Sequence, residues 1–271
     1  MLLRQIVETS AAVAATRSRS KKVELLAACI AGMDRDEVAI GAGFLAGEPR
    51  QRRLGAGWAA LRELPPPAAD ATLTLIAVDA ALARIAGISG AGSQAERAGA
   101  VHNLFAAATE PEQEFLRRLI LSDLRQGALQ SAVTDAVARA ASVSQSEARR
   151  ALMLLGDAGE LARIAVFDGI DGLRAVRLEV GRPVQPMLAA TAPDLATALA
   201  KIDPAALEWK LDGARIQVHR SGDRVSVFTR SLDEVTDRVP EVVEAVDELG
   251  LSEGSAVTAV VKASDVMLAV D

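Results

Sequence analysis

The stretch EWKLDGAR, residues 208–215, places a lysine, an aspartate and an arginine around an Asp-Gly pair. Because Asp-Gly between runs of alternating apolar residues is the strongest short-range signal for a β-hairpin, the stretch predicts antiparallel strands with Lys210 at the rim of a turn. A lysine is nucleophilic only as the free amine, and a neighbouring cation such as Arg215 favours that form. From the turn alone, the simpler alternative is an exposed hairpin with solvated charges.

Alternating patterns continue on the C-terminal side of this stretch. Residues 214–219 and 224–229 each alternate apolar and polar side chains, and Ser221, Gly222 and Asp223 join them. The pattern predicts strands of an antiparallel meander, each with one apolar face. His219 falls on the polar face and is expected to be exposed.

Before this region, apolar residues recur at helical spacing up to about Ile170. Half of the 271 residues are hydrophobic, mainly Ala, Leu and Val, and only 3% are aromatic, which favours helices packed on alanine. One helix is predicted over residues 112–124, and Ser144 with Glu147 has the spacing of a capping box. The single cysteine, Cys29, lies on an apolar stripe and is expected in the core. The sequence therefore predicts an all-α N-terminal domain.

The composition changes after Gly172. Residues 177–180 are strand-like, and the segment GRPVQPMLA, residues 181–189, contains two prolines that cannot continue a helix. We therefore expect a helical domain over residues 1–175, a linker over 176–190 and the start of a second domain over 191–271. The predicted fold class is multi-domain, all-α followed by α+β with an antiparallel sheet.

The formal net charge of −6 is unevenly distributed. Residues 231–271 hold two basic and ten acidic side chains, about −8, which leaves about +2 for the first 230 residues. Basic clusters at residues 17–22 and 50–53 permit phosphate contacts, although such clusters are more often solvated faces. Cys29, His102 and His219 lack metal-ligand spacing, so no metal ligand is expected. Without a membrane span or a secretion signal in the sequence, we expect a cytoplasmic protein with no membrane partner.

Several motifs resemble one family in the same order along the chain. The sequence KLDGAR, residues 210–215, resembles the KxDGxR signature of covalent nucleotidyltransferases, which include DNA ligases, RNA ligases and capping enzymes. The segments GEPRQRRLGAGW at 47–58, LRQGALQ at 124–130 and RPVQPMLA at 182–189 are similar to bacterial ATP-dependent DNA ligases of eukaryotic-like architecture. The resemblance implies an N-terminal helical DNA-binding domain followed by an adenylation domain.

The resemblance also implies roles for particular residues. Lys210 would be the catalytic nucleophile that accepts AMP from ATP. Three residues would contact the nucleotide: Glu208 at the adenine, Arg215 at the ribose or adenylate, and Arg230, within Thr-Arg-Ser at 229–231, at the ribose or the DNA 5′-phosphate. DNA contacts would involve Arg52, Arg53, Arg125 and Gly127.

The implied activity is nick sealing in double-stranded DNA by a monomer, with ATP and Mg²⁺, in repair, replication and recombination. Only 61 residues follow Lys210, and residues 255–262 occupy the place of an LDGE-like strand without its Asp-Gly or glutamate. Ligands for Mg²⁺ are not visible in the sequence. We therefore expect a truncated or rearranged N-terminal part of a ligase that binds DNA weakly and shows little or no ligation. The alternatives are a non-catalytic DNA-binding module derived from a ligase, and an RNA ligase or capping enzyme, against which the helical domain argues.

Overall fold

The computed structural model describes residues 1–51, 54–55, 57–124, 129–186, 192–201, 213–250, 257–262 and 265–270. It divides into two compact units, Met1–Arg177 and Leu178–Asp271. The first unit is helical, and the second combines short helices with antiparallel strand pairs. The expected fold class, all-α followed by α+β, is confirmed.

The first unit contains nine α-helices among its described residues, with a 3₁₀ turn at Trp58–Leu61 before the fourth. Each helix buries an apolar face against its neighbours, as the helical spacing predicts. In chain order they are α1 Leu3–Ala15, α2 Arg19–Ala31, α3 Arg35–Ala46, α4 Leu75–Gly87, α5 Ser93–Ala106, α6 Glu110–Ile120, α7 Leu129–Ala140, α8 Gln145–Leu155 and α9 Ala158–Ala175.

Helix starts and stops follow local chemistry. The Asp34 side chain accepts from the backbone at the start of α3, and Gly47 ends that helix in the left-handed conformation at φ 75°. At the start of α8, Ser144 accepts a hydrogen bond from the Glu147 backbone N–H, 3.2 Å away. The Glu147 carboxylate pairs with Arg150 and Arg174, so only the serine half of the predicted capping box is confirmed.

The core of the first unit relies on close contact between helices. Its largest fully buried side chains include Phe44, Phe105 and Leu116, and many of the remaining buried positions are alanines. At Gly159, near the start of α9, an added Cβ would lie 2.2 Å from the Ala39 carbonyl oxygen of α3. The backbones of these two helices therefore pack with no room for a side chain between them.

Three local expectations are wrong. The helix expected over residues 112–124 ends at Ile120, and Ser122 adopts φ 54°, which terminates the helix. Residues 177–180, expected to be strand-like, form irregular structure because no neighbouring strand pairs with them within the described chain. Cys29 is partly buried rather than fully enclosed, and burial raises the pKa of its thiol.

The second unit centres on a hairpin with a short helix packed against it. Val225 and Val227 of the second strand form a small core with Val242 and Val246 of the last helix. The hairpin turn predicted at residues 221–223 is confirmed, with Gly222 at φ 59°. In chain order the elements are α10 Leu195–Leu199, β1 Ile216–Ser221, β2 Arg224–Thr229, α11 Pro240–Glu248, β3 Val257–Lys262 and β4 Asp265–Val270; β1 pairs with β2, and β3 with β4, both antiparallel.

The close approach at Gly159 leads to a stability prediction. Gly159→Ala should lower the free energy of unfolding by about 1–3 kcal/mol because the new methyl group must push two backbones apart. Gly99→Ala is the matched control: it lies within α5, an added Cβ there meets nothing within 4 Å, and alanine should stabilise the helix by about 0.5–1 kcal/mol. Urea denaturation measures both, and equal stability of the two variants would contradict the packing described.

Candidate functional site at the open end of the hairpin

Two of the predicted site arginines lie at the same end of the β1–β2 hairpin. Ile216 pairs with Thr229 at the end of the ladder opposite the turn. Arg215 immediately precedes this pair in the chain and Arg230 immediately follows it, and both residues are exposed. The hairpin therefore brings together two basic residues that are fifteen positions apart in sequence.

The backbone around Arg230 is held by a compact set of hydrogen bonds. The Leu232 N–H donates to the Thr229 carbonyl at 3.0 Å, which closes a β-turn with Arg230 and Ser231 at its centre. The Asp233 N–H donates to Thr229 Oγ1 at 3.3 Å, and Ser231 Oγ donates to Asp233 Oδ2 at 2.8 Å. The turn thus fixes the direction in which the chain presents Arg230.

The two guanidinium groups are not neutralised by any residue that the structure describes. Among the residues that the structure describes, neither Arg215 nor Arg230 forms a side-chain hydrogen bond or an ion pair. An exposed pair of arginines at one end of a rigid hairpin attracts anions, and the planar guanidinium suits phosphate oxygens in particular. The geometry is therefore suited to binding a phosphate-bearing ligand.

The segment before the site is tied to β1. The side-chain amide of Gln217 forms two hydrogen bonds with the Val184 backbone: Val184 N–H donates to Oε1 at 2.9 Å, and Nε2 donates to the carbonyl at 2.6 Å. The Gly181 N–H donates to Nδ1 of His219 at 2.9 Å. Residues 181–184 therefore run beside β1 rather than as a free linker.

The expectation that His219 is exposed is wrong. Its ring is half-buried, packs edge-on against Phe228 with 5.0 Å between ring centroids, and accepts the hydrogen bond from Gly181. Burial lowers the pKa of His219 because it penalises the charged imidazolium. Alternation alone could not reveal this, since the polar face of β1 is covered by residues 181–184 that the pattern does not include.

Several predicted site residues lie outside the described residues. These are Glu208, Lys210, Arg52, Arg53, Arg125 and Gly127. The strand expected before the Asp-Gly pair also lies outside, whereas Gly213 and the two residues after it lead directly into β1.

In each basic cluster of the first unit, one arginine is hydrogen-bonded to an aspartate of the same unit. Arg50 donates through Nε to Oδ1 of Asp79 at 3.1 Å, and Gln51 Nε2 donates to the same oxygen at 3.0 Å. Arg19 Nη2 donates to Oδ2 of Asp135 at 2.7 Å. Neither aspartate belongs to a motif of the sequence, although each stands on the buried face of its helix, where a lone acid indicates a paired carboxylate.

Other types of site have no candidate in the described residues. No group of three or more His, Cys, Asp or Glu side chains there could hold a metal ion. No helix in that part of the chain is both long enough and apolar enough to cross a membrane. The open end of the β1–β2 hairpin and the basic clusters at residues 17–22 and 50–53 therefore remain as the candidate sites.

Two family models match the chain, one in each half. Residues 60–138 match the model described as DNA ligase N terminus, and residues 186–259 match the model described as ATP dependent DNA ligase domain. The first match lies within the helical unit. The second covers the candidate nucleotide site, including residues 208–215 and Arg230.

Curated relatives align with nearly the whole chain. A protein named probable DNA ligase from Pseudarthrobacter chlorophenolicus is 51% identical over 247 residues, which cover 91% of this chain and 49% of the relative. Proteins of the same name from Streptomyces griseus and Mycobacterium sp. strain KMS are 47% and 51% identical, over 92% and 90% of this chain and 49% and 48% of their own lengths. The chain spans about half the length of these relatives.

The hydrogen bond between Gly181 and His219 predicts a pH dependence. The neutral ring accepts at Nδ1, and protonation converts this atom into a donor. Because burial lowers the folded-state pKa below the ordinary value of about 6.5, the stability contributed by the neutral ring is present above that value and lost as pH falls through the folded-state pKa. In NMR spectra, the Gly181 amide resonance should titrate together with the His219 ring, with a midpoint below about 6.5.

The variant His219→Gln is the control for this titration. It keeps a side chain that can accept a hydrogen bond but does not ionise in this range. The Gly181 amide resonance should then be independent of pH, and a wild-type midpoint at or above the ordinary histidine value would contradict the burial described.

Proposed function

Because the chain belongs to the family of ATP-dependent DNA ligases, we propose that the protein seals nicks in duplex DNA through a lysyl-AMP intermediate. One observation supports this most strongly: residues 213–215, the end of the KLDGAR motif, run directly into β1, at the hairpin end where Arg215 and Arg230 have no ion pair among the described residues. The whole activity is a proposal, since the chain spans about half the length of the relatives.

In this proposal Lys210 is the nucleophile. Its free amine attacks the α-phosphorus of ATP, a phosphorus–nitrogen bond forms, and the bond to the bridging oxygen breaks to release pyrophosphate. AMP then passes to the 5′-phosphate at the nick, and attack by the 3′-hydroxyl releases AMP and joins the strands. Each step moves a phosphoryl group, so the protein contributes mainly by positioning the groups and stabilising negative charge.

Arg215 and Arg230 are suited to stabilising the negative charge of the phosphoryl group that is transferred. Their guanidinium groups flank the same strand pair and make no described ion pair, so both are available to an incoming phosphate or ribose. Glu208, two residues before Lys210, is proposed to bind the adenine edge. The turn around Arg230 supports the role of that residue because a backbone that is already fixed has less conformational freedom to lose on binding.

The helical part, residues 1–175, is proposed to grip double-stranded DNA near the nick, and residues 191–271 to begin the adenylation domain. Arg52, Arg53, Arg125 and Gly127 are the proposed contacts. Arg50 and Gln51, immediately before Arg52, are held by the buried Asp79, which anchors the chain at that point. Contacts to phosphates suit a protein that must act on any sequence.

The proposed Mg²⁺ has no ligand set among the described residues. A divalent metal in this proposal accompanies the phosphates of ATP, which offer the oxygen ligands that Mg²⁺ prefers. No residue of the chain is assigned to it. We also propose a cytoplasmic monomer that acts in repair, replication or recombination, as expected for the family.

An adenylation assay tests the role of Lys210. With labelled ATP and Mg²⁺, the chain should form a covalent AMP adduct that Lys210→Ala abolishes, because Lys210 carries the only primary amine of the motif. Lys201→Ala is the matched control, since Lys201 is an exposed lysine of the same unit, and its adduct should equal that of the wild type.

The same assay, combined with a measurement of DNA binding, distinguishes a ligase from a non-catalytic DNA-binding module. Nicked-duplex binding without any adduct would contradict the enzyme and support a non-catalytic DNA-binding module. An adduct that persists in Lys210→Ala would contradict the assignment of the nucleophile.

Arginines at the two ends of β2 allow a second test. Arg230→Ala should slow adduct formation by roughly ten- to a thousandfold, because one charge-stabilising contact to a transferring phosphoryl group is lost. Arg224→Ala removes an exposed arginine from the opposite end of the same strand and should leave the rate unchanged. Equal rates for the two variants would show that Arg230 does not contact the nucleotide.

A further inference from the structure

A single buried carboxylate of the helical unit holds two surface arginines. Asp135 lies in α7 with only 6% of its side chain exposed. Arg19, from the first turn of α2, donates from Nη2 to one oxygen at 2.7 Å, and Arg149 of α8 donates from Nη2 to the other at 2.8 Å. One side chain therefore joins three helices.

The two guanidinium groups are close together and open to solvent. Both donors bind oxygens of the same carboxylate, so they lie within about 8 Å of each other. The Arg19 and Arg149 side chains are 55% and 59% exposed, respectively. Among described residues, Nε of Arg19 and both Nε and Nη1 of Arg149 form no hydrogen bond. These N–H groups can reach a ligand without releasing Asp135.

The local charge favours an anion even after the internal pairing. One carboxylate neutralises one of the two guanidinium charges, which leaves a net charge of +1. Burial by itself raises the pKa of Asp135, but the hydrogen bonds and charges of Arg19 and Arg149 outweigh it and hold the pKa below its ordinary value. Asp135 is therefore ionised at neutral pH and keeps both arginines in place. Arg17, two residues before Arg19, is also exposed and has no partner among the described residues.

The pair also contacts the helix that follows, in the sequence, a segment expected to contact DNA. Arg19 donates through both Nη atoms to Ser131 Oγ at 3.4 Å, and Ser131 lies in the first turn of α7. That helix begins directly after residues 125–128, which include Arg125 and Gly127. A contact made by the pair would therefore continue the contacts proposed for that segment.

We infer that Arg19 and Arg149, held by Asp135, form a binding site for a backbone phosphate of duplex DNA. The inference rests on the proposed function, because it names a further subsite of the same DNA-binding surface. A carboxylate that orients two arginines before binding lowers the entropy lost when they grip a phosphate. Asp135 is accordingly a positioning residue, and the two arginines make the contact.

A purely structural role predicts a different result. If the arginines only neutralise Asp135, their loss destabilises the helical unit but leaves the salt dependence of DNA binding unchanged. If they bind phosphate, each one releases counterions on binding, so each contributes to the slope of affinity against salt concentration. The slope therefore distinguishes the two roles where stability alone does not.

The test measures binding of a fluorescent nicked duplex over a range of KCl concentrations. Because the pair neutralises one phosphate, Arg19→Gln and Arg149→Gln should each reduce the slope of log affinity against log salt, by at most about 0.9. Arg118→Gln is the matched control because Arg118 is an exposed arginine paired with Glu114 on α6, a helix that contributes no residue to this site, and its slope should equal that of the wild type.

The outcomes separate this inference from the proposed function. Normal binding with unchanged slopes in both glutamine variants would overturn the phosphate site alone. Failure of the wild-type chain to bind nicked duplex even at low salt would overturn the proposed DNA-binding function and the site with it.

A measurement on the unmodified chain covers the case in which a variant does not fold. Arginine-specific dicarbonyl labelling, read by mass spectrometry, should be slowed at Arg19 and Arg149 by nicked duplex and unaffected at Arg118. Equal labelling rates at Arg19 and Arg149 with and without DNA would contradict the inference.

Discussion

Close approach of helix backbones is the constraint on which the helical unit depends. With aromatic residues at only 3% of the chain, few large side chains are available to fill gaps between helices. Fully buried alanines such as Ala136 and Ala162 and the buried Gly159 replace them, so the core gains its apolar contacts by bringing helices together. The same closeness leaves little freedom for helices to shift, which fixes the positions of the residues at their ends and on their surfaces.

Buried carboxylates link this packing to the surface. Asp79 and Asp135 each lie on a buried face and would be costly without a charged partner. Arg50 and Arg19, from the two basic clusters, pair with Asp79 and Asp135, respectively, and Arg149 of α8 is the second partner of Asp135. The arginines therefore stabilise the fold and are at the same time held in fixed orientations at the surface. Fold stability and anion binding would then share the same side chains, so that a substitution at one of them affects both.

The sequence predicts the periodic parts of the structure and misses contacts between distant segments. Helical spacing locates the helices of the first unit, and Gly222 between alternating runs locates the hairpin, because both signals are local. The burial of His219 and the pairing of Arg19 with Asp135 depend on residues 38 and 116 positions away, respectively, which no local pattern specifies. Of the candidate site, KLDGAR is found by its resemblance to a family, whereas the partnership of Arg215 and Arg230 emerges only from the strand register.

The proposed function divides the work between two units: the helical unit is proposed to hold duplex DNA, and the second unit to receive the nucleotide. Hydrogen exchange followed by mass spectrometry, with ATP and Mg²⁺ or with nicked duplex, tests this division most directly. ATP should slow exchange around residues 208–230, and nicked duplex should slow exchange in α2 and at the start of α7. Protection by ATP confined to the helical unit, or protection by DNA confined to the hairpin, would contradict the assignment of the two tasks.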